Sequence, residues 1–533
     1  MRRYWSKNWR GKRADSPPFS EKAAGSHAAE PDENLAAYDS CVPSSSHSFS
    51  VSAPAARVVS FEEARHLVEQ HAAGVCPGEV ETVDLLAGLG RVLAKEIVAD
   101  RDFPPFDRAT RDGYAVRAAD LAEIPARLEV VGEVKAGDWP EPGVCSVGRG
   151  QAVAIMTGAP LPAGADAVVM VEHTALAQGS RANAAKDAAL GFAPRSHPNA
   201  AQNAALGWGT LGSGPDTPRS GRDTLGGKFV DILRRVGVGE NFVPRGSEAR
   251  AGQLLLDRGR RLDHTGIAIA ASAGKSRVQV FRKPRVAVLS TGDELVEIDA
   301  KPAPAQIRNS NSYSLAAQVQ AAGGEAVRLP VAPDERTRLR ALVEEGLRYD
   351  LLLLTGGVSM GKYDLVEQVL AELKAEFYFT GVEIQPGRPV VFGSCYSDSG
   401  VSDEITSSVD KRAGAPTTHN KKTYFFGLPG NPVSTMVTFE LFSRPTIEAL
   451  AGMTPQPLIF VRARLKSEIR TKTGLKRFLP AVLSGEFENA EVELARWQGS
   501  GDIAALARAN CYVVIPPDRE RIEAGEWVAL LMR

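Results

Sequence analysis

Three short stretches carry residue types suited to holding an anionic ligand: Ser290-Thr291-Gly292-Asp293-Glu294-Leu295, Thr355-Gly356-Gly357-Val358-Ser359-Met360-Gly361 and Gly427-Leu428-Pro429-Gly430-Asn431-Pro432. Glycine lets a backbone approach a ligand closely, and N–H groups at the start of a following helix suit phosphate. None of the three matches the pattern GxxxxGK[ST], so P-loop ATPase chemistry is not indicated. Three carboxylates, Glu294, Asp334 and Asp364, fall near the same loops. Such a cluster beside phosphate-binding loops is what a hard cation such as Mg²⁺ requires. Each also has a structural explanation: Asp334 with Thr337, and Asp364 with Glu367, could cap helices, and Glu294 could be a solvated loop acid. The three together in a glycine-rich crevice favour function.

The elements that must position these loops alternate from about residue 284 onward. A short strand over Val286 to Leu289 is followed by a helix from Ser312 to Ala322, ended by Gly323-Gly324, and a strand from Ala326 to Val331. Asp334 opens a further helix to about Leu347, the strand Leu351 to Leu354 comes next, and a helix runs from Asp364 to about Leu373. This order predicts a parallel, doubly wound sheet with helices on both faces, whose ligands bind beyond the carboxyl ends of the strands.

Elsewhere the signals differ. Ser60-Phe61-Glu62-Glu63 reads as a capping box opening a helix. Residues 99 to 177 show short apolar runs between Gly/Pro turns, which predicts a mainly β module. Its stretches Arg111 to Val116 and Ile155 to Pro160 have bland explanations, Asp112-Gly113 as a hairpin turn among them. From about 456 onward a small β-barrel or sandwich is expected. Residues 1 to 56 are poor in large apolar groups and read as a disordered extension; 179 to 227 and 397 to 422 read as polar insertions joining strands.

Composition narrows the function. Lys plus Arg is 63 against 64 Asp plus Glu, a net charge of −1, so nothing argues for a nucleic-acid or membrane-surface partner. Five scattered cysteines and eight histidines without HExxH argue against a disulfide framework or structural zinc site. No membrane span or secretory leader is evident, so a cytoplasmic location is expected.

The stretches RDGYAV, IMTGAP, STGDEL, TGGVSMGKYD, QPGRPV and GLPGNPVS, in that order, resemble those of the molybdopterin molybdenumtransferases, a family that includes bacterial MoeA and the gephyrin E domain. The resemblance spans about 57 to 533 once the two insertions are set aside. It implies an enzyme of molybdenum cofactor assembly that inserts molybdenum from molybdate into adenylylated molybdopterin, uses Mg²⁺ and releases AMP. It also implies a homodimer, with a molybdopterin adenylyltransferase and recipient molybdoenzymes as further partners. The implied architecture is multidomain α/β: a doubly wound molybdopterin-binding domain from 57–74 and 283–455, a linking domain from 75–98 and 251–282, the mainly β module over 99–250, and a C-terminal β-barrel over 456–533.

Carried over position by position, the resemblance gives catalytic roles to Asp364, Glu294, Asp112, Asp334 and Glu248, and the Mg²⁺ to Glu294 and Asp364. Glu248 stands in Gly246-Ser247-Glu248 where the family often has Gly-Glu-Asp. Substrate binding falls to Thr157, Thr291, Gly292, Gly356, Gly357, Ser359, Gly361, Arg388, Pro429, Gly430, Asn431, Pro432 and Ser500. The family pattern KPGKP appears as Gln385-Pro386-Gly387-Arg388-Pro389, one cation fewer. Arg388 is then the leading candidate to meet the anions, aided by Lys476 or Arg477 and by the Ser500 hydroxyl. The alternatives are an adenylyltransferase acting one step earlier, which the additional DGYAV and TGAP stretches disfavour, and a noncatalytic molybdopterin-binding scaffold, which the acidic residues disfavour.

Overall fold

The computed structural model describes residues 57–139, 145–177, 228–357, 365–397, 421–454 and 456–533. The expected disordered extension and nearly all of both insertions lie outside the described residues, as do Ser359, Gly361 and Asp364.

The loops that drew attention in the sequence hang on a six-stranded sheet ordered Glu325–Arg328, Arg285–Ser290, Leu351–Thr355, Lys421–Leu428, Val391–Ser397 and Glu376–Phe379. The first four strands are parallel. Their central members are apolar at nearly every position because both faces are covered. Val286, Val288, Leu351 and Leu353 enter one core with Leu315, Val319, Val433 and Ile447 from helices on that side. Ala287, Leu289, Leu352 and Leu354 enter the other with Leu339, Val343, Val366 and Val369. The two-residue alternation of a strand thus assigns each side chain to one of two helical layers.

The expectation of a wholly parallel sheet is corrected at one edge. Val391–Ser397 pairs antiparallel with both Lys421–Leu428 and Glu376–Phe379. No crossover helix is described between these strands, and a parallel pairing needs one whereas an antiparallel hairpin does not.

The N-terminal helix Phe61–Ala73 packs on this domain: Ala64 and Val68 are buried in the same core as Phe379 and Phe442, and Val58–Val59 pairs parallel with Gly381–Val382. Half of the expected capping box forms. Ser60 Oγ accepts from the Glu63 N–H at 3.1 Å, while the Glu63 carboxylate turns to Arg57 at 2.8 Å.

A second six-stranded sheet is ordered Ala167–Met170, Gly113–Val116, Gln151–Ile155, Ala126–Val134, Lys228–Ile232 and Thr174–Ala177. Asp112-Gly113 is not a hairpin turn there. Gly113 opens a strand so close to its neighbour that a Cβ would lie 1.9 Å from the Val169 carbonyl oxygen. Thr174–Ala177 and Lys228–Ile232, on either side of one insertion, are paired antiparallel neighbours. Between this sheet and the first domain, Val80–Asp84 pairs with Arg277–Phe281 over a small core of Leu93, Leu262, Ala270 and Val280.

The C-terminal segment is a barrel rather than a sandwich. Phe460–Leu465, Lys476–Ser484, Glu491–Leu494, Cys511–Ile515 and Trp527–Met532 pair around a closed circuit, which leaves no free edge within it. Ile384–Gln385, from the first domain, adds to it parallel with Lys476–Arg477.

Among the described residues Cys145, Cys395 and Cys511 are free thiols. No described helix is long and apolar enough to cross a membrane.

Candidate active site

The three glycine loops converge at the carboxyl ends of the parallel strands, around a crevice lined by Thr291, Glu294, Asn311, Thr355, Gly356 and Gly430, among others. Gly356 makes the convergence possible. Its φ is +89°, and a Cβ there would lie 2.3 Å from the Thr291 carbonyl oxygen, so a side chain would push the first two loops apart. The third loop comes equally near, since a Cβ on Gly430 would sit 3.5 Å from Gly356 Cα.

Side chains lock this arrangement. Thr355 Oγ1 donates to the Pro429 carbonyl at 3.2 Å, and Asn311 Nδ2 donates to the Gly430 carbonyl at 2.7 Å and to Thr355 Oγ1 at 3.0 Å. Asn309 caps the helix Ser310–Ala321 by accepting from the Ser312 N–H at 3.2 Å, and also accepts from the Ser290 hydroxyl at 3.0 Å. Asn309 and Asn311 were missed in the sequence. The available signal was the polar run Asn309-Ser310-Asn311-Ser312 before a helix, a good N-cap pattern. Asn311 Oδ1 is buried without a partner among the described residues, leaving an acceptor at the crevice.

The carboxylates part company. Glu294 lines the crevice, exposed, and its side chain has no hydrogen bond or ion pair among the described residues. It folds over Gly292, whose φ of +145° and lack of Cβ leave it room: a Cβ there would lie 2.8 Å from Glu294 Cδ. Asp334 stands behind this turn. Its Oδ1 accepts from Thr291 Oγ1 at 3.0 Å, and its N–H donates to Asp293 Oδ1 at 3.1 Å. The helix expected to start at Asp334 is Arg336–Gly346, with Glu335 at the N-cap and no side-chain cap bond, so the capping explanation of Asp334 falls.

Asp112, Thr157 and Glu248 lie on the second sheet's module and do not line this crevice. Two of them meet and the third pairs elsewhere. Asp112 Oδ1 accepts from the Thr157 N–H at 2.6 Å, and Glu248 pairs with Arg108 at 2.8 Å. All three are exposed.

The cations are distributed differently from expectation. Arg388 is exposed and its guanidinium has no partner among the described residues. Lys476 and Arg477 are not a free basic patch. Lys476 pairs with Glu62 and lies over the Phe61 ring, 4.6 Å from its centre, while Arg477 is buried and donates to Gln385 Oε1 at 2.7 Å. Ser500 does reach the third loop, but through its backbone: the Val433 N–H donates to the Ser500 carbonyl at 3.0 Å. Pro429, Asn431 and Pro432 sit at the start of the helix Pro432–Thr438, and Gly357, with φ of +61°, continues the turn begun by Gly356.

No group of three or more His, Cys, Asp or Glu side chains gathers as a metal cluster among the described residues. That arrangement still fits Mg²⁺, which keeps several waters and takes one or two carboxylates together with substrate phosphate oxygens. The unpaired Glu294 carboxylate at a crevice mouth is such a donor.

A doubly wound domain with a glycine-lined crevice at its strand ends, joined to β modules on either side in sequence, defines an α/β protein of multidomain type. Three family models match in succession: the MoeA N-terminal region (domains I and II) over 59–274, a probable molybdopterin binding domain over 287–449, and the MoeA C-terminal region (domain IV) over 462–532. The molybdopterin molybdenumtransferase of Nostoc sp. is 32% identical over 463 residues, 85% of this chain and 88% of that protein. That of Bacillus subtilis is 31% identical over 461 residues, 85% and 90%. The crystal structure of a molybdopterin biosynthesis MoeA protein from Pyrococcus horikosii superposes with a TM-score of 0.56 at 30% identity, covering 89% of this chain and 99% of that one. The chain belongs to the MoeA family of molybdopterin molybdenumtransferases.

Proposed function

We propose that this chain, as a molybdopterin molybdenumtransferase of molybdenum cofactor biosynthesis, inserts molybdenum from molybdate into adenylylated molybdopterin and releases AMP. The observation that carries the reading is the meeting of Thr291, Gly356 and Gly430 around a crevice bearing the unpaired Glu294 carboxylate. Close backbone approach suits the phosphates of the substrate, and Thr355 and Asn311 keep the loops from spreading. Glu294, with Asp364 from outside the described residues, would hold Mg²⁺, which supplies charge neutralisation at the phosphoanhydride. Asp334 acts through Thr291, fixing the turn that presents Glu294. The exposed guanidinium of Arg388 is suited to the molybdate oxyanion.

The separate placement of Asp112, Thr157 and Glu248 supports a homodimer in which the module of one protomer completes the crevice of the other. A cytoplasmic enzyme that receives substrate from an adenylyltransferase and passes product to molybdoenzymes fits the same reading. The test is incubation with adenylylated molybdopterin, Mg²⁺ and molybdate, following AMP and molybdenum cofactor. AMP release that depends on molybdate is expected. Release without molybdate, or none at all with the substrate bound, would reject the transferase reading.

A further inference from the structure

The turn that carries Arg388 is held from three sides. Toward the sheet, the Arg388 carbonyl accepts from the N–H groups of Val382 and Val390 at 2.9 and 3.0 Å. Toward the helix Pro432–Thr438, Gly387 has φ of +104°, and a Cβ there would lie 2.3 Å from Thr438 Cγ2, so the turn is pressed flat on that helix. Toward the barrel, Ile384 and Gln385 pair with Lys476 and Arg477, and Arg477 Nε donates to Gln385 Oε1 at 2.7 Å.

This third tie is the one made by side chains across two domains, and it is electrostatically unusual. Arg477 is 6% exposed and has no carboxylate partner among the described residues. A buried guanidinium needs acceptors for its donors, and here two neutral ones, the Gln385 amide oxygen and the Leu475 carbonyl at 3.0 Å, take its Nε–H and one Nη–H. A lysine at position 385 would set an ammonium against that guanidinium. The glutamine is the side chain that lets a buried cation lie behind the turn while Arg388, three residues on, stays free at its surface.

We propose that Arg477 is a positioning residue for oxyanion binding: through Gln385 it anchors the 386–389 turn and so fixes where the Arg388 guanidinium meets molybdate. The proposal rests on the transferase reading for the identity of the anion. The anchor itself rests on geometry alone. Arg477 does not touch the substrate; it acts through Gln385, and its loss leaves the cation present but unplaced.

The experiment varies molybdate in the AMP-release assay for the full chain and its Arg388→Ala, Arg477→Met, Gln385→Ala and Arg477→Met/Arg388→Ala variants. Arg388→Ala should raise the molybdate KM by about tenfold or more, the size of a lost charge-assisted hydrogen bond. Arg477→Met and Gln385→Ala should each raise it by about fivefold with kcat within about threefold, a loss of binding rather than of chemistry. The double variant should match Arg388→Ala, because an anchor has no effect once the anchored cation is gone. Arg477→Lys, which can still donate to Gln385, should recover most of the affinity. Amide exchange over residues 381–392, read without substrate, should quicken in Arg477→Met and Gln385→Ala and not in Arg388→Ala. Multiplying effects in the double variant, an unchanged molybdate KM, or unaltered exchange would each overturn the proposal. If Arg477→Met does not fold, Gln385→Ala removes the same bond from its exposed end and decides the matter. A wild-type chain that releases no AMP would sink the transferase reading instead, while the exchange comparison would still judge the anchor.

Discussion

The Asp112 carboxylate accepts a hydrogen bond from the Thr157 N–H at 2.6 Å, which brings RDGYAV and IMTGAP, 45 positions apart, to one exposed edge. The contact explains why both stretches carry a polar residue where buried strands begin and end. It also sets them apart from the crevice at Glu294, which neither residue lines. A dimeric site follows if this edge serves the partner's crevice. Mixing Asp112→Ala and Asp364→Ala chains, each inactive alone, should then restore part of the AMP release through heterodimers with one intact crevice. Verified subunit exchange with no recovered activity would place each site within a single chain.

Asp364 separates charge from capping. Asn caps a helix nearly as well as Asp, so Asp364→Asn should change stability by less than about 1 kcal/mol. It cannot give Mg²⁺ a full negative charge, and turnover should fall by about a hundredfold or more, as when one electrostatic stabiliser is removed. Glu294→Gln should behave alike, since that carboxylate has no partner to lose among the described residues. Part of either loss should return at raised Mg²⁺. Near-normal AMP release by a well-folded Asp364→Asn chain would return the residue to a structural role.

The two insertions should be removable. Ala177 and Lys228 lie at the facing ends of paired antiparallel strands, and so do Ser397 and Lys421, so a short turn can join each pair. Replacing 178–227, or 398–420, with a Gly/Ser hairpin loop should leave folded protein with unchanged kcat/KM, checked by melting temperature and AMP release. A chain that fails to fold after either deletion would show that the insertion packs on the domain.

Asp350 ties together the opposite end of the sheet. Burial pushes its carboxyl up, but the Arg285 N–H at 2.8 Å, Lys421 and Arg282 outweigh that and hold it below the ordinary value of 3.8. A depressed folded value means stability that is present above the unfolded value and lost as pH falls through the folded one. Asp350→Asn should therefore cost about 1–3 kcal/mol at pH 7, by leaving the Arg285 N–H and two partly exposed cations with a neutral partner. The gap from the parent should be constant down to about pH 5 and close below about pH 4. Denaturant unfolding across that range checks it, and a pH-independent gap would assign the effect to packing alone.

The sequence by itself determined the parallel strands of the first domain, the three glycine loops and their order. Leu351 to Leu354 read as a buried strand because a short run of large apolar residues, set between helical patterns and followed by Gly356-Gly357, suits a strand covered on both faces. Those are local properties of the chain, fixed by side-chain volume and backbone freedom. Which partner each polar group takes was not local. Asp334 could equally have capped its helix; the fold brought Thr291 within reach across 43 residues and left the N-cap to Glu335. Arg477 was expected to meet the anions beside Arg388 and is buried, because strand pairing with Ile384 and Gln385 draws the barrel onto the first domain. The antiparallel edge was half legible: 397 to 422 reads as an insertion joining two strands, but the direction of that pair within an otherwise parallel sheet came only with the pairing of Val391–Ser397 to Lys421–Leu428 and Glu376–Phe379. Polar contacts depend on distance in space, which sequence spacing does not encode, so the tertiary structure alone decided which of the candidate residues share a site.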